Sequence, residues 1–284
     1  MSKFLSFFLM SLIACSALAH GDDGTAPPQA LSQASDTITR HAFEDSEKGT
    51  TTPYLLYHPA NDTPTSQRSL LIFLYGAGGS IENYNFKRPP YAMLRGELAA
   101  RGYYVVVPEL GPKHFMSDAA KAALDGVVSQ VLKEEEIPQK RVHVMGTSMG
   151  AGSSLAYAIH RPDLIRSVCA VMPMTDFATW VVENPRYEAP VAKAYGGTYA
   201  EMPEAYDRNA ALKNPDAFAK IPVMLIHGNA DNTVLYSNSQ KLAELLQEKK
   251  YVCEFYTAAG QGHKDEVMQD FQTEAIDFFE AASK

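Results

Sequence analysis

The sequence predicts an α/β fold with a mostly parallel central sheet flanked by helices. Three observations carry that prediction. Of 284 residues, 46% are hydrophobic and 20% charged, enough apolar material for a sizeable core. Short apolar runs of strand length alternate with longer helical patterns along most of the chain. One run, Ser69 to Leu74 (S-L-L-I-F-L), is apolar throughout, as a strand covered on both faces requires.

In chain order, the first strand candidate is Pro53 to His58, followed by Ser69 to Leu74. Tyr103 to Val107 (Y-Y-V-V-V) is the next, ended by Pro108. Residues from about Asp118 to Glu135 read as a helix, because Ala120, Leu124, Val127, Val128, Val131 and Leu132 fall near helical spacing. Arg141 to Met145 is a strand, Met149 to His160 a helix, and Arg166 to Met172 a strand. Val223 to Ile226, a helix from about Asn238 to Lys249, Val252 to Tyr256 and a last helix to about Ala281 complete the series. Alternation of this kind builds βαβ units, whose function sits at the carboxyl ends of the strands.

The N-terminus reads as an export signal. Lys3 is a short positive start, Phe4 to Ala14 an apolar stretch, and Ala17-Leu18-Ala19 an A-x-A cleavage site. Leu12-Ile13-Ala14-Cys15 also resembles a bacterial lipobox, which would leave a chain anchored through a lipidated Cys15. Both readings stand, a signal over 1–19 or over 1–14, and both place the protein outside the cytoplasm, with membrane contact only if Cys15 is lipidated. Residues 20–36, rich in Gly, Asp, Pro, Ala, Ser and Gln, read as a flexible lead-in. Residues 37–284 read as one compact domain.

A formal net charge of −8 argues against nucleic acid as a partner. No His/Cys/Asp/Glu group has metal-ligand spacing, so neither metal nor cofactor is expected. Cys169 and Cys253 lie inside apolar strand-like runs and read as buried free thiols rather than a disulfide. Oligomeric state is not readable.

Four strand ends carry chemistry. After Arg141 to Met145 comes Gly146-Thr147-Ser148-Met149-Gly150, with a helix directly behind it. A serine on such a strand-to-helix turn is strained and exposed, with its hydroxyl near the positive end of a helix. After Leu74 comes Tyr75-Gly76-Ala77-Gly78-Gly79-Ser80, a turn whose backbone N–H groups can face an anion. The G-K-[ST] of a phosphate loop is missing, so an oxyanion is the better fit. After Ile226 comes His227-Gly228-Asn229-Ala230-Asp231, in which Asp231 is placed to orient a histidine. After Tyr256 comes Thr257 to Gly262 and then His263, a base able to accept the serine proton.

With its segments L-Y-G-A-G-G-S at 74–80, G-T-S-M-G at 146–150, I-P-V-M-L-I-H-G-N-A-D-N-T-V at 221–234 and G-Q-G-H at 260–263, the chain resembles the α/β-hydrolase superfamily from about residue 50 onward. Within it, the closest likeness is to dienelactone-hydrolase and prolyl-oligopeptidase-type (peptidase S9-like) single-domain serine hydrolases. The resemblance implies the α/β-hydrolase fold with a small helical insertion after the sixth strand. It implies Ser148 as nucleophile, Asp231 as orienting acid and His263 as base, in the chain order of that fold. It also implies an oxyanion hole made by the backbone N–H groups of Ala77 and Met149. Relatives commonly have His where this chain has Tyr75.

Asp176 is a competing acid, since some members of the superfamily keep theirs after that strand; the H-G-N-A-D-N-T-V context favours Asp231. Asp265 and Glu266 read as helix N-terminal charges, and His227 as a structural turn residue. The span Met174 to Ile221 is too long for a simple crossover and holds Trp180, the one tryptophan. Trp180 and Tyr75 are candidate pocket residues; the aromatic residues of the span equally suit a small core of its own.

Ester hydrolysis through an acyl-enzyme ranks first on the sequence alone, with a small-molecule or polymer-linked ester as substrate. A prolyl-oligopeptidase-type peptidase ranks second, because only a few dozen residues precede the first core strands, too few for the usual N-terminal propeller. A non-catalytic binding protein ranks third, since such relatives usually lose a triad member.

Overall fold

The computed structural model describes residues 37–82 and 89–284. The export signal, Cys15 and the lead-in over 20–36 lie outside the described residues. Eight strands form one sheet: β1 (Ile38–Asp45), β2 (Thr50–Tyr57), β3 (Ser69–Leu74), β4 (Tyr103–Pro108), β5 (Val142–Thr147), β6 (Ile165–Val171), β7 (Val223–Gly228) and β8 (Cys253–Ala258). Their spatial order is β1-β2-β4-β3-β5-β6-β7-β8. β1 pairs antiparallel with β2, and β2 antiparallel with β4; every other pairing is parallel.

Strand alternation separates two cores. Leu70, Ile72 and Leu74 of β3 point to the face covered by α2 (Asp118–Glu134), α3 (Met149–His160) and α7 (Ser237–Glu248). Leu71 and Phe73 point to the opposite face, under α1 (Pro89–Ala100) and α8 (Gln272–Ala282). With both faces covered, β3 to β7 bury nearly every residue, which is why they read as unbroken apolar runs. The predicted helix starting at Asp118 begins there because Ser117 caps it, its hydroxyl accepting the Ala120 N–H at 3.2 Å.

Two elements escaped the sequence reading. β1 is an edge strand whose residues are only half buried or exposed, so it shows no apolar run. Its Phe43 nevertheless lies against Gly126 of α2, where a Cβ would come within 2.1 Å of the ring. α1 begins at Pro89-Pro90 and has only a weak apolar stripe. Counting β1, the strand before the insertion is the sixth. The insertion holds three short helices, α4 (Phe177–Glu183), α5 (Glu188–Tyr195) and α6 (Pro203–Asp207).

Cys169 and Cys253 are free, on β6 and β8 with β7 running between them. Cys169 is buried as expected, whereas Cys253 is only half buried because β8 is the other edge of the sheet.

Candidate active site

The turn from β5 into α3 places Ser148. Its backbone sits at φ 54°, ψ −118°, a region an L-residue occupies at a cost of about 1–3 kcal/mol. Its N–H donates to Val171 O of β6 at 2.8 Å, which fixes the turn against the neighbouring strand. The flanking glycines are required by space. A Cβ on Gly146 would lie 2.3 Å from the Gly150 carbonyl, and one on Gly150 would lie 2.0 Å from Leu74 O. α3 therefore approaches the ends of β3 and β5 as closely as backbones can.

His263 Nε2 lies 2.8 Å from Ser148 Oγ, and His263 Nδ1 lies 2.6 Å from Asp231 Oδ2. A carboxylate only accepts, so Nδ1 carries the proton and Nε2 accepts from the serine hydroxyl. Gly228 lets the acid and base loops meet, since a Cβ there would come within 2.3 Å of Gln261 O. The structure thus brings together Ser148, Asp231 and His263 from three strand ends far apart in sequence.

The Asp231 side chain is fully buried. Oδ1 accepts the N–H groups of Thr233 (2.8 Å) and Val234 (2.9 Å). Oδ2 faces His263 and also His227 Nε2, at 3.3 Å. Burial alone would raise its carboxyl, but the hydrogen bonds from His227 and His263, with the Thr233 amide, hold it well below the usual carboxylate range. His227 Nε2 also lies 2.9 Å from Val234 O and Nδ1 2.8 Å from Ser239 Oγ. The carbonyl requires a donor, so Nε2 carries the hydrogen and Nδ1 accepts from the serine. From the sequence His227 reads as a turn residue; its spacing of four before Asp231 is the one signal of its second role.

Ala77 is exposed on the loop after β3, beside Gly78 at φ 81°. The Met149 N–H opens α3 and so has no partner within the helix. The carboxylate on His263 Nδ1 is Asp231, not Asp176. Asp176 caps α4 instead, accepting the Ala178 N–H at 2.9 Å and the Thr179 hydroxyl at 3.1 Å. Asp265 and Glu266 do open a short 3-10 helix, Asp265–Phe271, as read. Asp265 is also buried in the site wall, accepting from Tyr91 Oη (3.3 Å) and Thr147 Oγ1 (3.4 Å).

A cavity of about 480 Å³ opens at the serine. Gly76 and Ala77, the run His263 to Glu266, and Met172, Met174, Trp180, Tyr187 and Thr233 are among the residues that line it. Trp180 serves both expectations. Its ring packs in the insertion's core with Phe115 and Phe177, and it also lines the cavity. Its Nε1–H donates to Thr233 O at 3.1 Å, tying the insertion to the acid loop. Tyr75 is a correction: it does not line the cavity. It is 1% exposed, because its phenol turns inward to Glu109.

The sheet order, the strained serine turn and the Ser–His–Asp chain of hydrogen bonds define an α/β-hydrolase fold with a serine-hydrolase type of site. Comparison with known proteins narrows this. The profile of the Prolyl oligopeptidase family matches residues 122–284. A Caenorhabditis elegans protein named dipeptidyl peptidase family member 2 is 27% identical over 69% of this chain and 24% of its own length. The uncharacterized peptidase YtmA of Bacillus subtilis is 24% identical over 62% of this chain and 69% of its own. Among solved structures, a Mycobacterium tuberculosis puromycin-hydrolyzing peptidase superposes with a TM-score of 0.71 at 16% identity, over 90% of this chain and 41% of that one. The chain belongs to the prolyl oligopeptidase family. It spans about a quarter of the length of the dipeptidyl peptidases it matches.

Proposed function

We propose that the chain is a serine peptidase of the prolyl-oligopeptidase type, working through a covalent acyl-enzyme. The observation that carries this reading is the His263 ring held between Ser148 at 2.8 Å and Asp231 at 2.6 Å, in a chain of this family. Ser148 Oγ attacks the scissile carbonyl carbon as its proton passes to His263 Nε2. The carbonyl oxygen becomes an oxyanion that accepts from the Ala77 and Met149 N–H groups. His263 then protonates the leaving amine and the C–N bond breaks. Water attacks the acyl carbon, gives its proton to His263, and the carboxylic product leaves as Ser148 recovers its own.

The same steps cleave an ester, the reading ranked first on sequence. Family membership reverses that order, since the relatives named above carry peptidase names. Met172, Met174, Trp180 and Tyr187 give the cavity an apolar, aromatic wall, suited to an uncharged side chain on the acyl side of the cleaved bond.

The test is a pair of initial-rate assays, aminoacyl-, dipeptidyl- and prolyl-nitroanilides against short and medium p-nitrophenyl esters, each beside Ser148→Ala. Amide turnover that vanishes in the variant supports the peptidase. Ester turnover with negligible amide turnover sinks it in favour of an esterase.

A further inference from the structure

Ala77 sits on a loop whose own tie is a backbone turn around it, the Gly79 N–H donating to Gly76 O at 3.0 Å. Three of its neighbours, Gly76, Gly78 and Gly79, have no side chains to pack, and Gly78 needs a left-handed backbone. An oxyanion donor, however, stabilises the transition state only when it is already fixed in position. The turn does not anchor the loop to the strands beside it, so that part of the constraint comes from outside the loop.

It comes from the segment after β4. The Tyr75 hydroxyl donates to Glu109 Oε1 at 2.5 Å and accepts the Leu110 N–H at 3.1 Å. The second oxygen of Glu109 accepts the Ile81 N–H at 3.0 Å. Its first oxygen also accepts the Gly111 N–H at 3.3 Å, so one carboxylate takes backbone donors from both segments. Between these ties, the Gly78 N–H donates to Pro112 O at 2.7 Å. Positions 75, 78 and 81 are thereby fastened to 109–112, and Ala77 lies between the first two fastenings. Glu109 is itself held to the sheet, its N–H donating to Pro53 O at 2.8 Å.

We propose that Glu109 and Tyr75 are positioning residues that set the Ala77 amide for the oxyanion. The proposal rests on the reading of Ser148 as nucleophile and Ala77 as donor. Neither side chain touches the substrate; each acts through the loop backbone. Because the ground-state carbonyl needs the donor less than the oxyanion does, losing the fastening affects the chemical step more than binding.

The experiment compares the full chain with Tyr75→Phe, Glu109→Gln and the double variant, each well below its thermal midpoint. One readout is the second-order rate at which a fluorophosphonate labels Ser148, a reaction that also places charge on an oxygen in the hole. The other is kcat and KM on whichever amide or ester the wild type turns over. Deleting an oxyanion donor outright costs about 10²–10³ in kcat, so misplacing one is expected to cost roughly 10- to 100-fold. Labelling should fall in parallel, with KM within about twofold. Glu109→Gln keeps one acceptor oxygen and turns an NH2 toward either the Tyr75 hydroxyl or the Ile81 N–H, so it weakens the same Tyr75–Glu109–Ile81 tie that Tyr75→Phe cuts, and the two losses should add less than fully in the double variant. Labelling and kcat within twofold of wild type in both folded single variants would overturn the proposal, as would a loss confined to KM. If wild type labels at Ser148 while amides are not cleaved, the peptidase reading fails and this test still stands. If Ser148 does not label at all, both fall.

Discussion

His227 Nε2 lies 3.3 Å from Asp231 Oδ2, the same oxygen that His263 Nδ1 reaches at 2.6 Å. Asp231 therefore stands between two imidazoles, one facing the serine and one buried behind it. The buried ring is held by Ser239 and by the Val234 carbonyl, so its one Nε2 hydrogen is shared between that carbonyl at 2.9 Å and the carboxylate at 3.3 Å, and the ring edge facing Asp231 is fixed.

His227→Phe should therefore reduce turnover without abolishing it. The carboxylate keeps His263 and two backbone donors, so kcat is expected to fall about tenfold, against roughly 10⁴-fold for Asp231→Asn. The variant also strands the Ser239 hydroxyl and the Val234 carbonyl, which costs about 2–4 kcal/mol of stability. Steady-state kinetics and urea unfolding measure both. Turnover equal to wild type would show that the second imidazole does not matter to the acid.

The fold and the three converging side chains were legible because buried parallel strands announce themselves as apolar runs and their ends as polar turns. Ser69–Leu74 and Met149–His160 fall where the pattern puts them. What was not legible depends on contacts across the sheet. β1 reads as polar because an edge strand buries little. Tyr75 reads as a pocket residue because the sequence does not show that Glu109, 34 positions away, accepts its phenol. His227 reads as a turn residue until the second donor to Asp231 is seen.

Gly150→Ala tests the close approach of α3 to β3. The added methyl would meet Leu74 O at 2.0 Å and Tyr75 O at 2.6 Å, both backbone atoms that cannot rotate away. The helix must shift, carrying the Met149 amide away from the loop that holds Ala77. A loss of about 3 kcal/mol or more in stability is expected, with turnover lost even where the variant folds. Gly78→Ala, at φ 81° with open space around it, should cost only the backbone strain, about 1–2 kcal/mol. Equal effects of the two substitutions, by thermal unfolding, would sink the packing argument.

Trp180→Phe removes the N–H to Thr233 O while leaving an aromatic ring among Phe115, Tyr187 and the cavity wall. The expected loss is about 1–2 kcal/mol from the stranded carbonyl. Because Thr233 also donates to Asp231, the acid loop should loosen, and the larger cavity should raise KM for small apolar acyl groups more than for large ones. A substrate series of increasing side-chain volume reads this out. A uniform change across the series would mean that Trp180 supports the loop without shaping the cavity.

Two buried histidines contribute to how stability responds to acid. His114 and His143 are 5% and 0% exposed, and burial pushes each down to about 3, helped at His143 by the charges of Arg141 and Arg166. Unfolded, each titrates near about 6.5. Between about pH 6.5 and 3 the unfolded chain thus binds protons that the folded chain refuses, and stability falls as pH drops through that window. Each group contributes a slope of up to about 1.4 kcal/mol per pH unit, fully restored above pH 6.5. Asp231 acts at lower pH: its folded carboxyl is depressed, so its contribution is fully present above the unfolded value of about 3.9 and is lost progressively as the pH falls from there through its folded pKa. Urea unfolding at pH 7, 6 and 5 separates these groups. His143→Gln loses the hydrogen bonds to Ser167 and Ser283 and should start less stable at pH 7, yet its stability should decline more gently, by about one proton's slope. Curves for wild type and His143→Gln that stay parallel from pH 7 to 5 would mean that His143 takes up its proton in the folded state.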